Sequence, residues 1–281
     1  MVGKGFYEPV RFNGFPEIKE SVIAGYLPAT FMLAPLAMAL VEQGVPVKIV
    51  YLGHRDGTAL MVHKDSGILT VGDLRGKKVA IPNRFSNQNL LLRKALAAQG
   101  MTVKDIELIE MPPPDMPAAL YSKAVDGITS GEPFMAQTEM DGYGRVLYQA
   151  KDVWPNFISC VLVASQKTID EHPEWVQQLV DGIAKSGMWL EGGMDHRMAA
   201  AQAVATQYYN QDPRLLRFVL SKPPDRVRYN DLRMAKRDFD EIADLAFKAG
   251  VLKRRLAFEE YADPRFSAKT VGAVQYAWKG R

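Results

Sequence analysis

The sequence predicts an α/β protein whose chain ends in a helical part. Three observations predict this. Short apolar, β-branched runs alternate with helix-period segments through the first 165 residues, which implies βαβ units around a mostly parallel sheet. From Pro173 onward the period becomes almost wholly helical, over about 173–192, 195–209, 212–220 and 231–249. The chain has 281 residues, 47% hydrophobic and 24% charged, enough for two packed cores of roughly 100–150 residues each.

The elements follow in order. Val10-Arg11-Phe12 reads as a short strand. Pro16 opens a helix carrying Ile18, Val22 and Ile23 on one face and stopped near Gly25. Residues 29–33 read as a buried strand, and Pro35 opens a helix closed by Gly44 and Pro46. Residues 47–52 are β-branched and strand-like. After the turn residues Arg55-Asp56-Gly57 comes a strand over 58–63. Residues 78–81 form another, ending at Pro82. Ser86 is an N-cap for a helix carrying Leu90, Leu91 and Leu92 and ending at Gly100. Strands are expected over 106–109, 127–129, 145–149 and 160–164. Asp115 caps a helix through Tyr121, and Pro133 suits a first helical turn. No internal repeat or low-complexity segment is present.

Composition excludes several functions. Thirty-five basic and 32 acidic residues leave a net charge of +3, and the one basic triplet, Lys253-Arg254-Arg255, reads as a solvated helix end, so there is no footprint for nucleic acid. The single cysteine, Cys160, permits no internal disulfide and no multi-thiolate zinc site, and it lies in an apolar run as a structural thiol. His54, His63, His172 and His196 are scattered, which argues against a metal centre, and no cofactor is implied. The methionines read as core filler. No apolar stretch reaches the ~18–20 residues of a membrane span, and the N-terminus has no signal-peptide core. Nucleophile elbow, phosphate-binding loop and zinc-protease signatures are absent.

Three loops carry chemistry. Between a strand and a helix stand Pro82-Asn83-Arg84-Phe85-Ser86-Asn87-Gln88-Asn89. A helix N-terminus there offers N–H groups and partial positive charge, and four consecutive amide or hydroxyl side chains exceed what a cap needs. Ligand contact and ordinary capping both fit. Gly131-Glu132-Pro133-Phe134 repeats the strand-to-helix placement: Gly131 allows close backbone approach, while Glu132 also fits a purely structural place near a helix end. In His54-Arg55-Asp56-Gly57-Thr58, Arg55 and Asp56 either serve a site or pair with each other at the surface.

These loops, in this order, carry a resemblance. Gly5-Phe6-Tyr7, Phe15-Pro16-Glu17, Ala24-Gly25, Pro46-Val47-Lys48-Ile49-Val50, Asp73-Leu74-Arg75-Gly76-Lys77-Lys78-Val79-Ala80, Asp126-Gly127 and Gly131-Glu132-Pro133 together resemble ABC-importer substrate-binding proteins of the nitrate, bicarbonate, alkanesulfonate and taurine type. The resemblance covers roughly residues 3–193. It implies the two-lobed periplasmic-binding-protein fold of the second type, with mixed sheets flanked by helices. Residues 1–55 and 161–281 would form one lobe and residues 56–160 the other, with crossings near 52–58 and 158–163 and hinge closure on ligand.

The resemblance also implies the site. The family's aromatic position falls on Thr30-Phe31, its glutamine on Thr58, its histidine on Gln88, and its lysine near Pro155, after Trp154. Thr30, Phe31, Thr58, Phe85, Ser86, Asn87, Gln88, Gly131, Glu132 and Trp154 are thus the expected ligand-binding residues. Without that lysine and histidine, a neutral or organic ligand suits the site better than nitrate, and Phe31, Phe85 and Trp154, if they line the cleft, favour one with an apolar or planar part. The implied partners are a small-molecule ligand and the transporter's membrane permease. The chain is expected to be a monomer, outside the cytoplasm, and not an enzyme. The alternatives are an enzyme on this fold, resembling thiamine-pyrimidine synthases or menaquinone-pathway dehydratases, and the sensing domain of a regulator. Family members carry a first strand and a ligand-facing loop ahead of Gly3-Lys4-Gly5-Phe6-Tyr7, so the sequence is expected to begin late.

Overall fold

A computed structural model describes residues 7–205 and 211–270. The chain forms α1 (Phe15–Ile23), β1 (Ala29–Met32), α2 (Ala34–Glu42), β2 (Val47–Asp56), β3 (Thr58–His63), β4 (Lys78–Ile81), α3 (Asn87–Ala97), β5 (Glu107–Glu110), α4 (Met116–Tyr121), β6 (Gly127–Gly131), α5 (Phe134–Met140) and β7 (Gly144–Gln149). It continues through α6 (Ala150–Val153), β8 (Ile158–Ser165), α7 (Gln166–Glu171), α8 (Pro173–Glu191), α9 (Met194–Val204), α10 (Pro213–Ser221), β9 (Val227–Arg228), α11 (Lys236–Lys248) and α12 (Phe258–Tyr261).

The strands build two sheets, ordered β1-β8-β2-β9 and β5-β4-β6-β3-β7. Both are flanked by helices, as the α/β reading requires, but the mostly parallel expectation fails. The first sheet is antiparallel at every pairing. The second is parallel only where β4 meets β5 and β6, and antiparallel where β3 meets β6 and β7. Two topological facts explain this: β8 returns from the second sheet and inserts between β1 and β2, and β3 leaves the end of β2 after one residue.

That one residue is Gly57. Asp56 and Gly57 have φ of 59° and 68°, and a Cβ on Gly57 would lie 2.9 Å from a Val227 methyl. Only glycine fits both the left-handed backbone and the close approach. The chain comes back beside it, where Asp56 N–H donates to the Phe157 carbonyl at 2.9 Å. Both connections between the sheets therefore run side by side.

Several local expectations are corrected. Val10-Arg11-Phe12 is irregular and mostly exposed, with no strand to pair it. Ile23 points away from the core, while Val22 is buried. The strand expected over 47–52 runs on to Asp56, so Arg55 and Asp56 belong to a strand. Asp115 is itself helical and makes no cap bond. The last long helix begins at Lys236, because residues 231–235 run irregularly. Residues 3–6 of the opening Gly3-Lys4-Gly5-Phe6-Tyr7, and 206–209 of an expected helix, lie outside the described residues. The apolar core centres on α2, whose residues from Ala34 to Leu40 are all buried, against β2, β8 and α11.

Arg55 and Asp56 are buried and do not pair with each other. A buried charge must find an opposite charge and hydrogen bonds, and both find theirs far along the chain. Arg55 donates to the carbonyls of Asn156 at 2.7 Å and Asp231 at 2.8 Å and to the Asp238 carboxylate at 3.1 Å. The Asp56 carboxylate accepts from Arg228 Nε at 2.6 Å. Replacing Arg55 by alanine strands two carbonyls and leaves Asp238, among the described residues, with only the exposed Arg237 at 3.4 Å. The expected cost is about 3 kcal/mol of unfolding free energy, read from urea denaturation; a loss below about 0.5 kcal/mol would contradict this account of the crossing.

Candidate ligand-binding site

The polar loop after β4 is folded by its own side chains. Asn83 Oδ1 accepts the Phe85 N–H at 2.8 Å, and Ser86 Oγ accepts the Asn89 N–H at 3.0 Å, which caps α3 as expected. Asn89 Nδ2 donates to the Arg84 carbonyl at 2.7 Å. Capping accounts for Ser86 and Asn89, but not for Asn87 and Gln88.

Asn87 Nδ2 donates to the Ile158 carbonyl at 2.5 Å, joining α3 to the start of β8. That bond fixes the amide's orientation and leaves Oδ1 buried without a partner. Gln88 Nε2 donates to Thr58 Oγ1 at 3.1 Å, and its Oε1 is likewise orphaned. Thr58 faces Gly131 across the ladder and Leu60 faces Thr129, so Thr58 and Thr129 share one face of the second sheet. The Thr129 hydroxyl is a third buried group without a partner. Native interiors hold few such groups, and each calls for an explanation. Thr58, Asn87, Gln88 and Thr129 are all at most 3% exposed, so bulk water does not satisfy them.

The other expected residues distribute as follows. Gly131 lies beside Gly57, its missing Cβ position 3.8 Å from the Gly57 carbonyl oxygen. Glu132 turns to Arg226, which binds it at 2.8 Å and Glu139 at 2.6 Å; the second Glu132 oxygen accepts the Ala136 N–H at 2.8 Å. Burial pushes the Glu132 carboxyl up, and Arg226 opposes the shift. Thr30 and Phe31 belong to the first sheet, where Phe31 is 43% exposed and its ring lies against Gly53. Phe85 is half-buried, with the Arg84 guanidinium 5.5 Å from its ring centre. Trp154 sits in the core, edge-on to Phe157 and under Lys94 Nζ at 5.0 Å. The structure therefore gathers Thr58, Ser86, Asn87, Gln88 and Gly131 into one region and directs Glu132 to an ion pair.

Sequence reasoning did not single out Thr129, Arg226 or Tyr229. Glu132 and Arg226 are 94 positions apart, and no local pattern encodes such a pairing. The Thr129 side chain acquires meaning only from the β3–β6 register. His54 was singled out, but its state was not legible: its Nδ1 is buried without a partner, and burial pushes the imidazole down to about 4. Burial also pushes the Cys160 thiol up to about 11, which keeps it protonated and poorly nucleophilic. Among the described residues no group of three or more His, Cys, Asp or Glu could hold a metal ion, and no helix is long and apolar enough to cross a membrane.

Comparison with known proteins adds a second line. The NMT1-like family matches residues 2–205. The bicarbonate transport ATP-binding protein CmpC of Synechocystis is 28% identical over 218 residues, 71% of this chain and 32% of that protein. The chain spans between a quarter and a third of the length of the first curated relatives it matches. The ligand-binding component of an ABC-type import system from Staphylococcus aureus superposes with a TM-score of 0.81 at 25% identity, over 93% of this chain and 87% of that one. The periplasmic nitrate-binding protein NrtA of Synechocystis gives 0.84 at 14% identity, over 94% and 80%. The desulfurization enzyme DSZB gives 0.60 at 17% identity, over 88% and 86%. The last two show the fold alone.

His54 sets a pH dependence. A histidine held below its ordinary value of 6.5 binds its proton better when the chain is unfolded, so its stabilising contribution is complete above 6.5 and is lost as pH falls toward 4. Denaturation midpoints are expected to fall between pH 6.5 and pH 4, with a shallower fall in His54→Phe. An unchanged slope in that variant would contradict the burial of a neutral imidazole.

Proposed function

The chain belongs to the NMT1-like family, and from that premise we propose that it is the solute-binding subunit of an ABC importer, holding a small polar or organic molecule between two lobes. Residues 1–55 and 161–281 are assigned to the first lobe and residues 56–160 to the second, with Asp56 and residues 158–160, which still pair in the first sheet, at the boundary. The observation that carries this reading is the set of buried, unpartnered polar atoms on Asn87, Gln88 and Thr129 beside the N-terminus of α3. A solute that hydrogen-bonds to them removes the desolvation cost of leaving them unpaired, roughly 1–3 kcal/mol each. Ser86 covers only the Asn89 N–H, and the first-turn N–H groups of Asn87 and Gln88 add donors at the positive end of the helix.

The mechanism is closure by hinge. Adjacent connections at Asp56-Gly57 and Phe157 permit rotation of one lobe against the other, and solute bound to both favours the closed arrangement. The permease of the transporter is the partner that receives the solute, the working place lies outside the cytoplasm, and the chain acts as a monomer. Support for import comes from the S. aureus component and from the CmpC match. The fold also serves an enzyme, DSZB, but Cys160 is held protonated and no paired acid and base stand out beside Asn87 and Gln88.

A thermal-shift screen against sulfonates, pyrimidines, flavins, polyamines and aromatic acids tests the reading. The expected result is a stabilising compound recovered unchanged, whose affinity falls about tenfold in Gln88→Ala, the equivalent of one hydrogen bond of about 1.4 kcal/mol. Nitrate is expected to show no saturable binding by calorimetry, because the unpartnered amide atoms, Asn87 Oδ1 and Gln88 Oε1, are acceptors and repel an anion. A compound consumed by the protein, or an affinity untouched by Gln88→Ala, would refute the assignment.

A further inference from the structure

We infer that the solute carries a primary carboxamide head, whose N–H donors meet the side-chain oxygens of Asn87 and Gln88 and whose carbonyl oxygen accepts from the first-turn N–H groups of α3. This rests on the solute-binding reading above and adds the ligand's chemical class. Asn87 supplies the firmest observation. Its Nδ2 donates to the Ile158 carbonyl at 2.5 Å. A carbonyl only accepts, so the amide cannot turn over, and Oδ1 stays an acceptor without a partner. Gln88 Nε2 donates to the Thr58 hydroxyl at 3.1 Å, and its Oε1 is a second acceptor in the same condition. Two buried acceptors on consecutive residues call for a group with two donors. The protein's own hydroxyls do not supply them. Leu60 faces Thr129 on one side and Tyr148 on the other, so both hydroxyls stand on the face of the second sheet that carries Thr58. Burial pushes the Tyr148 hydroxyl up, which keeps its proton on. Yet each of the two is buried and itself without a partner.

The helix end sets the opposite requirement. Asn87 and Gln88 are the first two residues of α3, a helix of 11 residues. Their N–H groups have no partner within the helix and carry its partial positive charge. Ser86 Oγ takes the Asn89 N–H, one residue further on. The same two residues therefore present backbone N–H groups that require an oxygen and side-chain oxygens that require an N–H. A carboxylate or sulfonate satisfies the first and sets its remaining oxygens against the second, lone pair to lone pair. An amidinium satisfies the second and turns a cation toward the positive helix end. A primary carboxamide keeps the planar shape of a carboxylate with one oxygen replaced by NH2, and answers both. The Thr129 hydroxyl donates or accepts at either edge of such a head.

The test compares matched probes on the full chain by calorimetry at neutral pH: acetamide with acetate, nicotinamide with nicotinate, and benzamide with benzoate and benzamidine. At least one carboxamide is expected to bind saturably, about tenfold or more tighter than its charged counterparts, the equivalent of one hydrogen bond gained. Thr129→Val is expected to weaken that carboxamide about tenfold while the thermal midpoint of the free protein holds or rises, because the hydroxyl it removes has no partner to lose. Gln88→Ala gives the same affinity readout should Thr129→Val fail to match the parent's circular dichroism. No saturable binding of any carboxamide leaves these atoms to trapped water and overturns the inference. So does a carboxamide whose affinity both variants leave unchanged. A carboxylate or benzamidine that binds tighter than its carboxamide, weakens in Gln88→Ala and returns unchanged overturns the head group and leaves the solute-binding reading standing. A probe recovered chemically altered overturns that reading itself.

Discussion

Three guanidinium groups, those of Arg55, Arg197 and Arg226, lie almost wholly out of water, and the fold depends on pairing them. Removing such a charge from water costs several kcal/mol unless opposite charge and hydrogen bonds meet it. Two of the three are met across long sequence distances, and the stretch that does most of the meeting is 224–238. Arg226 reaches from it to Glu132 and Glu139 beside the second sheet. Arg228 reaches to Asp56 at the crossing. Asp238 and the Asp231 carbonyl receive Arg55. One strap of chain therefore clasps both connections between the sheets and the start and end of α5 beside the second sheet.

The clasp shapes the site as well. With Glu132 drawn to Arg226, its loop turns its backbone toward Gly57: the Glu132 N–H donates to the Gly57 carbonyl at 2.8 Å. Apolar contacts reinforce it, since Ala136 of α5 packs with Leu215 and Val219 of α10 and with Val227. The neighbouring cations are spent on these structural pairs. The buried hydrogen-bonding atoms left without a partner lie on Asn87, Gln88, Thr129 and His54, and on the second oxygen of the Asp56 carboxylate.

Much of this was legible in the sequence, and the limits have physical causes. Strands and helices with strong period, such as β3, α3 and α8, were readable because side-chain spacing follows local backbone geometry. The Ser86 cap was readable because its partner stands three residues away. The antiparallel return of β8 was not, since nothing local to residues 158–165 says which strand it will lie beside. Val10-Arg11-Phe12 has strand composition but no pairing strand, and composition alone does not hold an extended segment. Glu132 illustrates the same limit at the site. Its place at a strand-to-helix turn suggested a ligand contact or a helix end, and the residue that claims it stands far along the chain.

The central claim is that the strap, through Arg226, holds the units built on the two sheets together. It is tested most directly by electron-spin distance measurement between nitroxides on Lys104→Cys, beside the second sheet, and Lys185→Cys, on α8, in a Cys160→Ser background. The account predicts a dominant short-distance population with Arg226 present and a shift toward a longer-distance population in Arg226→Met of matched circular dichroism. Identical distributions in the two proteins would contradict it.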